Sequence, residues 1–516
     1  MGIAGHRTGG GGTAAGLART IRRAYALLPF VPLHLRLGER TEKAILVSLF
    51  VVFVLPTGIF LACFVPFGQV PDEPAHVARI ESLLHGEISG HRVAGPEVAG
   101  RPITLSGVVI NAAPLKVTQV FESSAVNLKM TPAILDRLDS IPWDPRPGFV
   151  YAPNTAVYFP VFYVPAALGM GLARLDRRTP VDAVLTARIT NLCVYIIISA
   201  CALALARRGW RVMFAALTLP MTLWLASSCN EDGLLIACSC LAAALLTRAC
   251  GPRGVSYWGA ALLFSCVIAV KPAYLPLAVF MVLPCTRMNR HDVLRAGAAM
   301  AAASLPGILW ALVMLRYVSG PSIWGAPYHP GPLWPGDPAR LFTGSDPAAQ
   351  TLVLLHDPWL ILKLPLQTIG SRGLLNLQEA VGGLGNLDVL MADTMYSVWF
   401  AAIVLAALGD LLASRETLGP RVGMTLVALL AVAATVIAIF DLEYLTWTEV
   451  GHGPLIRGVQ GRYAIPLLPM ISVALPLLRL PATKWLRGAL AMPAIAMAAV
   501  GMVYLPALVL ETYYLS

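Results

Sequence analysis

Charged residues are scarce in this chain of 516 residues: only 13% are Asp, Glu, Lys or Arg, whereas 57% are hydrophobic. Soluble domains carry about 25% charged residues. This scarcity argues against a soluble protein and predicts an integral membrane protein. The formal net charge of +10 does not indicate a nucleic-acid partner. The basic residues fall in short clusters between apolar runs, as topology signals do, and they also attract anionic membrane lipids.

Several chemical signatures are missing as well. The nine cysteines form no CxxC pair and no Cys/His ligand spacing, which argues against a disulfide framework and against a zinc site. The sequence has no HExxH motif of a zinc protease and no tandem repeat of the kind that many transporters show. The first forty residues are Gly-rich and basic and lack the apolar core of a signal peptide. We expect residues 1–43 to form a flexible cytoplasmic tail.

Long apolar runs dominate the rest of the chain. A spanning helix needs about 20 apolar residues, and the candidates are 44–66, 183–206, 210–229, 233–250, 255–270, 272–285, 297–318, 393–413, 421–440, 463–479 and 488–510. A further run at 155–173 contains Pro160 and Pro165. If this run spanned the membrane, most later basic clusters would face outside, against the positive-inside bias. We therefore expect it to lie in the outer interface.

The predicted fold is accordingly an all-α polytopic membrane protein, a bundle of about 11 transmembrane helices. Residues 44–516 are expected to form a single membrane domain. Its large outer loops, at about 68–182, 319–392 and 441–462, would carry interfacial helices.

This threading brings ionisable residues from distant parts of the chain to the outer side of the membrane. The segments are PDEPAH (Asp72, Glu73, His76), SSCNED (Asn230, Glu231, Asp232), VKPAY (Lys271, Tyr274) and VQGRY (Gln460, Arg462, Tyr463). Singly, each has a structural interpretation: a solvated turn, a helix cap, a snorkelling lysine or an interfacial anchor. Together they indicate a site, because a charge in a spanning segment costs about 2.5–3.5 kcal/mol.

These groups suit one reaction in particular. A lipid-linked phosphosugar in the outer leaflet presents an anion at headgroup depth. Lys271 and Arg462 would neutralise its phosphate as the charge of the leaving group grows. Asp72 would take the proton of an acceptor hydroxyl as general base. The remaining candidates are Glu73 as a second catalytic acid, Tyr274, Tyr463 and Gln460 at the phosphate, and Asp232, His76 and Arg188 in acceptor binding or support.

At these residues the chain resembles the GT-C superfamily, the polytopic glycosyltransferases that use polyprenyl-phosphate sugars. More closely, it is similar to a bacterial family of predicted membrane proteins within that superfamily, which carries PDEPAH, Lys-Pro-x-Tyr, GGLGNLD and VQGRY. The matching features run from about residue 44 to residue 479. The resemblance implies a first-loop acid as base or metal ligand, here Asp72 with Glu73. Asp232 is the third candidate ligand for a divalent cation such as Mg²⁺ or Mn²⁺.

The resemblance implies an inverting transferase in the bacterial cytoplasmic (inner) membrane, with its N-terminus cytoplasmic and its active site periplasmic. The expected partners are a polyprenyl-phosphate sugar and an envelope glycan or lipid that accepts a single sugar. Trp324 and Trp334 are candidates for stacking on sugar rings, and His356 with Asp357 is a weaker candidate for a metal site. The alternatives are a transporter or flippase of lipid-linked sugars and a non-catalytic envelope assembly subunit.

Overall fold

The computed structural model describes residues 39–98, 101–124, 129–285, 289–325, 343–412, 422–450, 453–474 and 483–515. Trp334 and residues 1–38 of the predicted tail lie outside these ranges. The chain divides into two units, residues 1–44 and residues 45–516. Of the first unit, the structure describes only residues 39–44.

Six described helices are long and apolar enough to cross a membrane, which makes the chain a helical multi-pass membrane protein. They are Glu39–Phe64, of which Lys43–Phe64 qualifies, Pro180–Leu205, Arg290–Tyr317, Asp393–Leu411, Val422–Thr446 and Met492–Tyr513. Large apolar side chains on these helices, such as Leu430 and Val503, are exposed. Exposure of this kind suits a lipid-facing surface, where apolar side chains need no burial in protein.

The other predicted spans form shorter or interrupted helices. The run at 210–229 breaks at Pro220, and the run at 272–285 is 3₁₀-helical with Pro276 inside. Proline removes a backbone donor and clashes with the preceding turn, which favours an interruption of the regular helix in these two runs. The run at 155–173 forms only a short apolar helix at Pro160–Leu175. It is shorter than the roughly 20 residues that a span needs, as expected of an interfacial segment.

The remaining helices complete the fold. They are Glu73–Leu84, Ala113–Ser124, Pro132–Asp139, Val164–Leu175, Trp210–Thr218, Pro220–Ala226, Asp232–Arg248, Val255–Val270, Pro347–His356, Leu360–Gly382, Leu468–Ala474 and Lys484–Ala489, with 3₁₀ segments at Pro160–Tyr163, Pro272–Val282 and Gly461–Leu467. The helix Asp232–Arg248 is almost wholly buried and packs against Pro180–Leu205 and Val255–Val270. The helix Asp232–Arg248 thus lies in the interior of the molecule.

The first large loop also contains a β-sheet, which the all-α prediction did not include. His91–Val98, Arg101–Ile110 and Gly148–Tyr151 form three antiparallel strands, with Arg101–Ile110 in the centre. Val108 and Ile110 of the central strand are fully buried. Two smaller hairpins pair Ser322–Gly325 with Thr343–Ser345, and Gly383–Leu384 with Val389–Leu390. Short strands between apolar helices give a weak periodic signal, which explains why the sequence did not reveal them.

Candidate active site

Asp72 stands at the start of helix Glu73–Leu84, where an Asp side chain ordinarily caps the helix by accepting a backbone N–H. Its carboxylate makes no such bond. Instead, Arg462 Nη2 donates to Asp72 Oδ2 at 2.5 Å. The backbone of Asp72 has φ 63°, in the left-handed region that costs a non-glycine residue on the order of 1 kcal/mol. The carboxylate is therefore held toward Arg462 instead of toward its own helix.

Five charged side chains meet at this point and are called the ion cluster below: Asp72, Glu231, Asp232, Lys271 and Arg462. Arg462 Nε lies 3.1 Å from Asp232 Oδ2, and Arg462 Nη1 donates to the carbonyl oxygen of Pro71 at 3.2 Å. Lys271 is in direct contact with Asp232 and lies 3.5 Å from Glu231. Opposite charges therefore alternate through the cluster. The predicted meeting of Asp72 with Arg462 is observed.

His76 and a tyrosine extend the ion cluster beyond Glu231. His76 Nδ1 lies 2.8 Å from Glu231 Oε2 and also 2.8 Å from the Tyr163 hydroxyl. The Tyr163 hydroxyl donates to Glu231 Oε2 at 3.1 Å. The side chains of His76, Tyr163 and Glu231 are all buried. The Glu231 carboxylate is fixed by His76 and Tyr163 on one side and by Lys271 on the other.

Tyr463 covers the two cations. The Lys271 ammonium lies 4.6 Å from the centre of the Tyr463 ring, and the Arg462 guanidinium lies 5.3 Å from it, both within the range of a cation–π contact. The Tyr274 hydroxyl donates to the Tyr463 carbonyl oxygen at 2.8 Å, which fixes the backbone beside Arg462. Gln460 immediately precedes this segment, and its buried side-chain oxygen has no hydrogen-bond partner among the described residues.

Asp72 is the accessible member of the ion cluster. Its side chain is 33% exposed, whereas the side chains of Arg462, Asp232 and Lys271 are 2%, 5% and 11% exposed and that of Glu231 is fully buried. A ligand that approaches the ion cluster from solvent therefore meets the Asp72 carboxylate first.

The carboxylates of Asp72 and Glu231 remain ionised in this setting. Burial alone raises the pKa of Asp72, but Arg462 and His76 outweigh burial and hold this pKa below its ordinary value. Burial likewise raises the pKa of Glu231, whereas His76 and Lys271 lower it, with a net shift well below the usual range. The three carboxylates of the ion cluster outnumber its two cations, so the ion cluster carries no net positive charge.

Glu73 occupies a different position from the one that its candidate catalytic role requires. Its carboxylate is fully buried and receives Arg188 Nε at 2.8 Å and Arg188 Nη2 at 2.6 Å. It also accepts the backbone N–H groups of Gly68 at 2.9 Å and Cys229 at 3.1 Å. Arg188 in turn donates to carbonyl oxygens at the end of the first long helix, including that of Val65 at 2.7 Å. We therefore replace the catalytic interpretation of Glu73 with a structural one: Glu73 and Arg188 fix the PDEPAH segment.

Only two of the three candidate metal ligands belong to the ion cluster. Glu73 is paired with Arg188, whereas Asp72 and Asp232 contact Arg462 at different nitrogens. Within the described ranges, no group of three or more His, Cys, Asp or Glu side chains is arranged to hold a metal ion. His356 and Asp357 are both exposed at the end of helix Pro347–His356 and are not part of the ion cluster.

A small cavity of about 40 Å³ lies against the ion cluster. Its polar lining includes Lys271, Tyr463, Tyr158, Tyr274 and Glu443, and the apolar lining includes Ile439. The cavity is far smaller than the roughly 300–1,000 Å³ of a site for a drug-sized ligand. Only a small part of a substrate fits inside it, next to an apolar wall.

A family model described as "Predicted membrane protein (DUF2142)" matches residues 55–471. The chain belongs to the DUF2142 family. The match includes PDEPAH, SSCNED, Lys271 and VQGRY, so every member of the ion cluster lies within the DUF2142 region. No curated protein and no solved structure matches the chain significantly.

Sequence reasoning on this DUF2142 protein missed some residues at the site. Glu231 stands in SSCNED, but nothing in the sequence assigned it a role at the site. In the structure it is the partner of both Lys271 and His76. Tyr163 lies in the interfacial run, where an aromatic residue ordinarily indicates only a membrane boundary. Glu443 could have been found from the sequence, because it is a carboxylate near the end of the long apolar helix Val422–Thr446.

Proposed function

We propose that this protein is a membrane glycosyltransferase of the GT-C type. It transfers a single sugar from a polyprenyl phosphate to an envelope glycan or lipid at the periplasmic face of the bacterial cytoplasmic membrane. The observation that carries the proposal is the contact between Asp72 and Arg462, because it joins an accessible carboxylate to a buried guanidinium beside Lys271. A base next to an anion-binding cation is what transfer from a phosphosugar requires.

The reaction is a single displacement. The acceptor hydroxyl oxygen forms a bond to the anomeric carbon of the sugar, and the bond from that carbon to the phosphate oxygen breaks. The hydroxyl proton passes to the Asp72 carboxylate, and polyprenyl phosphate leaves with the electron pair. Because its charge rises from about −1 to about −2, Arg462 and Lys271 stabilise the leaving phosphate more than the bound donor. A single displacement inverts the anomeric centre.

The charge balance of the ion cluster determines how a phosphate binds. Two cations already paired with three carboxylates do not attract an anion strongly, so the phosphate must replace one carboxylate. Asp72 is the replaceable one, because it is the exposed member and meets Arg462 at one nitrogen only. Arg462 stays in place, held by Asp232 and by the carbonyl oxygen of Pro71. Donor binding then releases Asp72 to act as the base.

The surroundings of the ion cluster also favour a lipid-linked donor. The apolar wall of the adjacent cavity, which includes Ile439, Leu442 and Val270, meets Lys271 at its polar end. A polyprenyl phosphate has the same two parts, an apolar chain and an anionic headgroup. The cluster side chains come from helix ends and connecting segments and not from the middle of long helices, which favours a transferase over a flippase with charges at the bilayer midplane.

Release of polyprenyl phosphate tests the proposal directly. Purified protein in lipid nanodiscs is incubated with undecaprenyl-phosphate monosaccharides and with envelope extract as acceptor, and the lipid products are quantified by mass spectrometry. Wild type should release undecaprenyl phosphate, and Asp72→Asn should not. Asp139→Asn, which removes an exposed carboxylate of the same loop, should behave as wild type. Sugar-bearing lipid that crosses the bilayer uncleaved would instead identify a flippase.

A further inference from the structure

Glu443 is a carboxylate at the candidate site for which the proposed reaction has no role. It lies in the last turn of helix Val422–Thr446 and lines the cavity together with Lys271 and Tyr463. Among the described residues, its carboxylate makes no hydrogen bond and no ion pair. A carboxyl group without a protein partner is free to form hydrogen bonds with a ligand.

Trp447 lies one helical turn after Glu443, so the two side chains share a face of the helix end. Both press against Gly458. A Cβ atom on Gly458 would lie 2.0 Å from Trp447 Cδ1 and 2.9 Å from Glu443 Oε2, and the backbone there has φ +83°, which favours glycine. The glycine therefore permits the indole ring and the carboxylate to lie side by side.

A second tryptophan extends this surface. The ring of Trp324 meets the ring of Trp447 edge-on, with 5.7 Å between the ring centres. The two residues are 42% and 38% exposed, so their rings remain open to a ligand. Exposed tryptophans at a membrane boundary often serve only as anchors. The unpaired carboxylate beside Trp447 is what distinguishes this pair from an anchor.

An indole ring next to a carboxylate has the chemistry to bind a sugar. The C–H groups on one side of a sugar ring stack on an aromatic face, and the hydroxyl groups donate to carboxylate oxygens. The position of Glu443 indicates which sugar. Glu443 lines the same cavity as Lys271, so it lies where we expect the sugar attached to the bound phosphate.

We propose that Glu443, Trp447 and Trp324 bind the sugar ring of the donor and select it by its hydroxyl groups. The phosphate binds at Arg462 and Lys271, and the sugar extends along the cavity rim past Glu443 to the indole of Trp447. The hydroxyls donate to Glu443, and the ring stacks on Trp447. This inference rests on the proposed function, since it assigns the sugar subsite of the same reaction.

The test compares lipids that differ only in the sugar. Binding of bare undecaprenyl phosphate, and of undecaprenyl phosphate that carries glucose, galactose, mannose or arabinose, is measured by native mass spectrometry in nanodiscs. Wild type should bind one of the sugar-bearing lipids up to about tenfold more tightly than the bare lipid, the effect of one hydrogen bond. Glu443→Gln and Trp447→Ala should each remove this difference.

Matched variants control for damage to the helix and for loss of an aromatic ring. Asp441→Asn removes a carboxylate from the same helix that does not line the cavity, and Trp359→Ala removes an exposed tryptophan elsewhere. Both should retain the preference for the sugar-bearing lipid. Gly458→Ala should lose it as Trp447→Ala does, because the added Cβ displaces the indole ring.

The outcomes separate this inference from the proposed function. A wild type that binds bare lipid but prefers no sugar-bearing lipid overturns the sugar subsite, as does a preference that survives Glu443→Gln and Trp447→Ala. A wild type that binds no lipid phosphate overturns the proposed function instead. The subsite is then judged by saturation-transfer NMR with the four free monosaccharides. A signal abolished by Trp447→Ala supports the subsite, and no such signal refutes it.

Discussion

Replacing Asp72 with Asn should strengthen substrate binding and abolish catalysis, so the two properties should change in opposite directions. If the donor phosphate competes with the Asp72 carboxylate for Arg462, removing that carboxylate removes the competitor. Asp72→Asn should then bind undecaprenyl phosphate more tightly than wild type does while losing transfer. Most active-site substitutions weaken both properties, so this combination is diagnostic.

The expected magnitude follows from the geometry of the pair. The Asp72 carboxylate lies 2.5 Å from Arg462, and its side chain is 33% exposed. Unit charges about 4 Å apart near a protein surface attract by roughly 4 kcal/mol, whereas a solvent-exposed ion pair contributes only about 0–1 kcal/mol. For a pair that is one-third exposed we expect about 1.4 kcal/mol, which is a tenfold gain in affinity. Loss of the general base should lower turnover by about 10²–10⁴-fold.

The dissociation constant for undecaprenyl phosphate is measured by native mass spectrometry, and turnover is measured by release of the lipid phosphate. Asp139→Asn serves as the control, because it makes the same change in net charge at an exposed position of the same loop. Unchanged or weaker binding by Asp72→Asn would show that the carboxylate does not compete for Arg462. Normal turnover by the same variant would show that Asp72 is not the base.

Three further predictions concern the rest of the site. Arg462→Lys keeps the charge but loses the guanidinium nitrogen that contacts Asp72, so we expect kcat/KM to fall by about 10–100-fold in the lipid-release assay; a fall of less than about threefold would contradict phosphate binding by the guanidinium fork. Glu73→Gln leaves Arg188 buried without its counter-charge, which should cost about 3–5 kcal/mol in the free energy of unfolding, measured as a lower unfolding temperature in detergent. A Glu73→Gln variant that has normal stability but no turnover would contradict the structural interpretation and would indicate that Glu73 is catalytic. Arg462 and His76 lower the pKa of Asp72 from its ordinary 3.8, so the carboxylate stays ionised at every pH above that value. The kcat/KM for lipid release, which reports the free enzyme in which Arg462 still contacts Asp72, should therefore show no acid limb from Asp72 between about pH 5 and pH 8, and a limb that Asp72→Glu moves within this window would contradict the low pKa.

The ion cluster was predictable in part because charge is so rare in this sequence. Asp72, Asp232, Lys271 and Arg462 stand out at the ends of apolar runs, and the orientation of those runs assigns all four to one side. Their mutual distances were not predictable. Lys271 and Arg462 are almost two hundred positions apart, and helix packing alone brings both to Asp232.

The PDEPAH motif alone could not show that Asp72 and Glu73 have different roles. Two adjacent carboxylates, Asp72 and Glu73, look equivalent in the sequence. The left-handed backbone at Asp72 sends one toward Arg462, while the first residue of the helix directs the other toward Arg188. A single backbone angle thus separates an accessible group from a structural one, and no composition or periodicity reports that angle.

The sequence by itself determined that this is a helical multi-pass membrane protein, where its apolar runs lie, and which polar segments interrupt them. Runs of apolar residues and rare charges are local properties of the sequence. They can be interpreted without a structure because placing polar groups in hydrocarbon is costly. Only the tertiary structure decided which carboxylate meets which cation, that Glu443 and Trp447 meet at Gly458, and that prolines break several of the apolar runs into short helices. Those outcomes depend on contacts between residues far apart in the chain, where side-chain direction and close packing, and not local hydropathy, set the result.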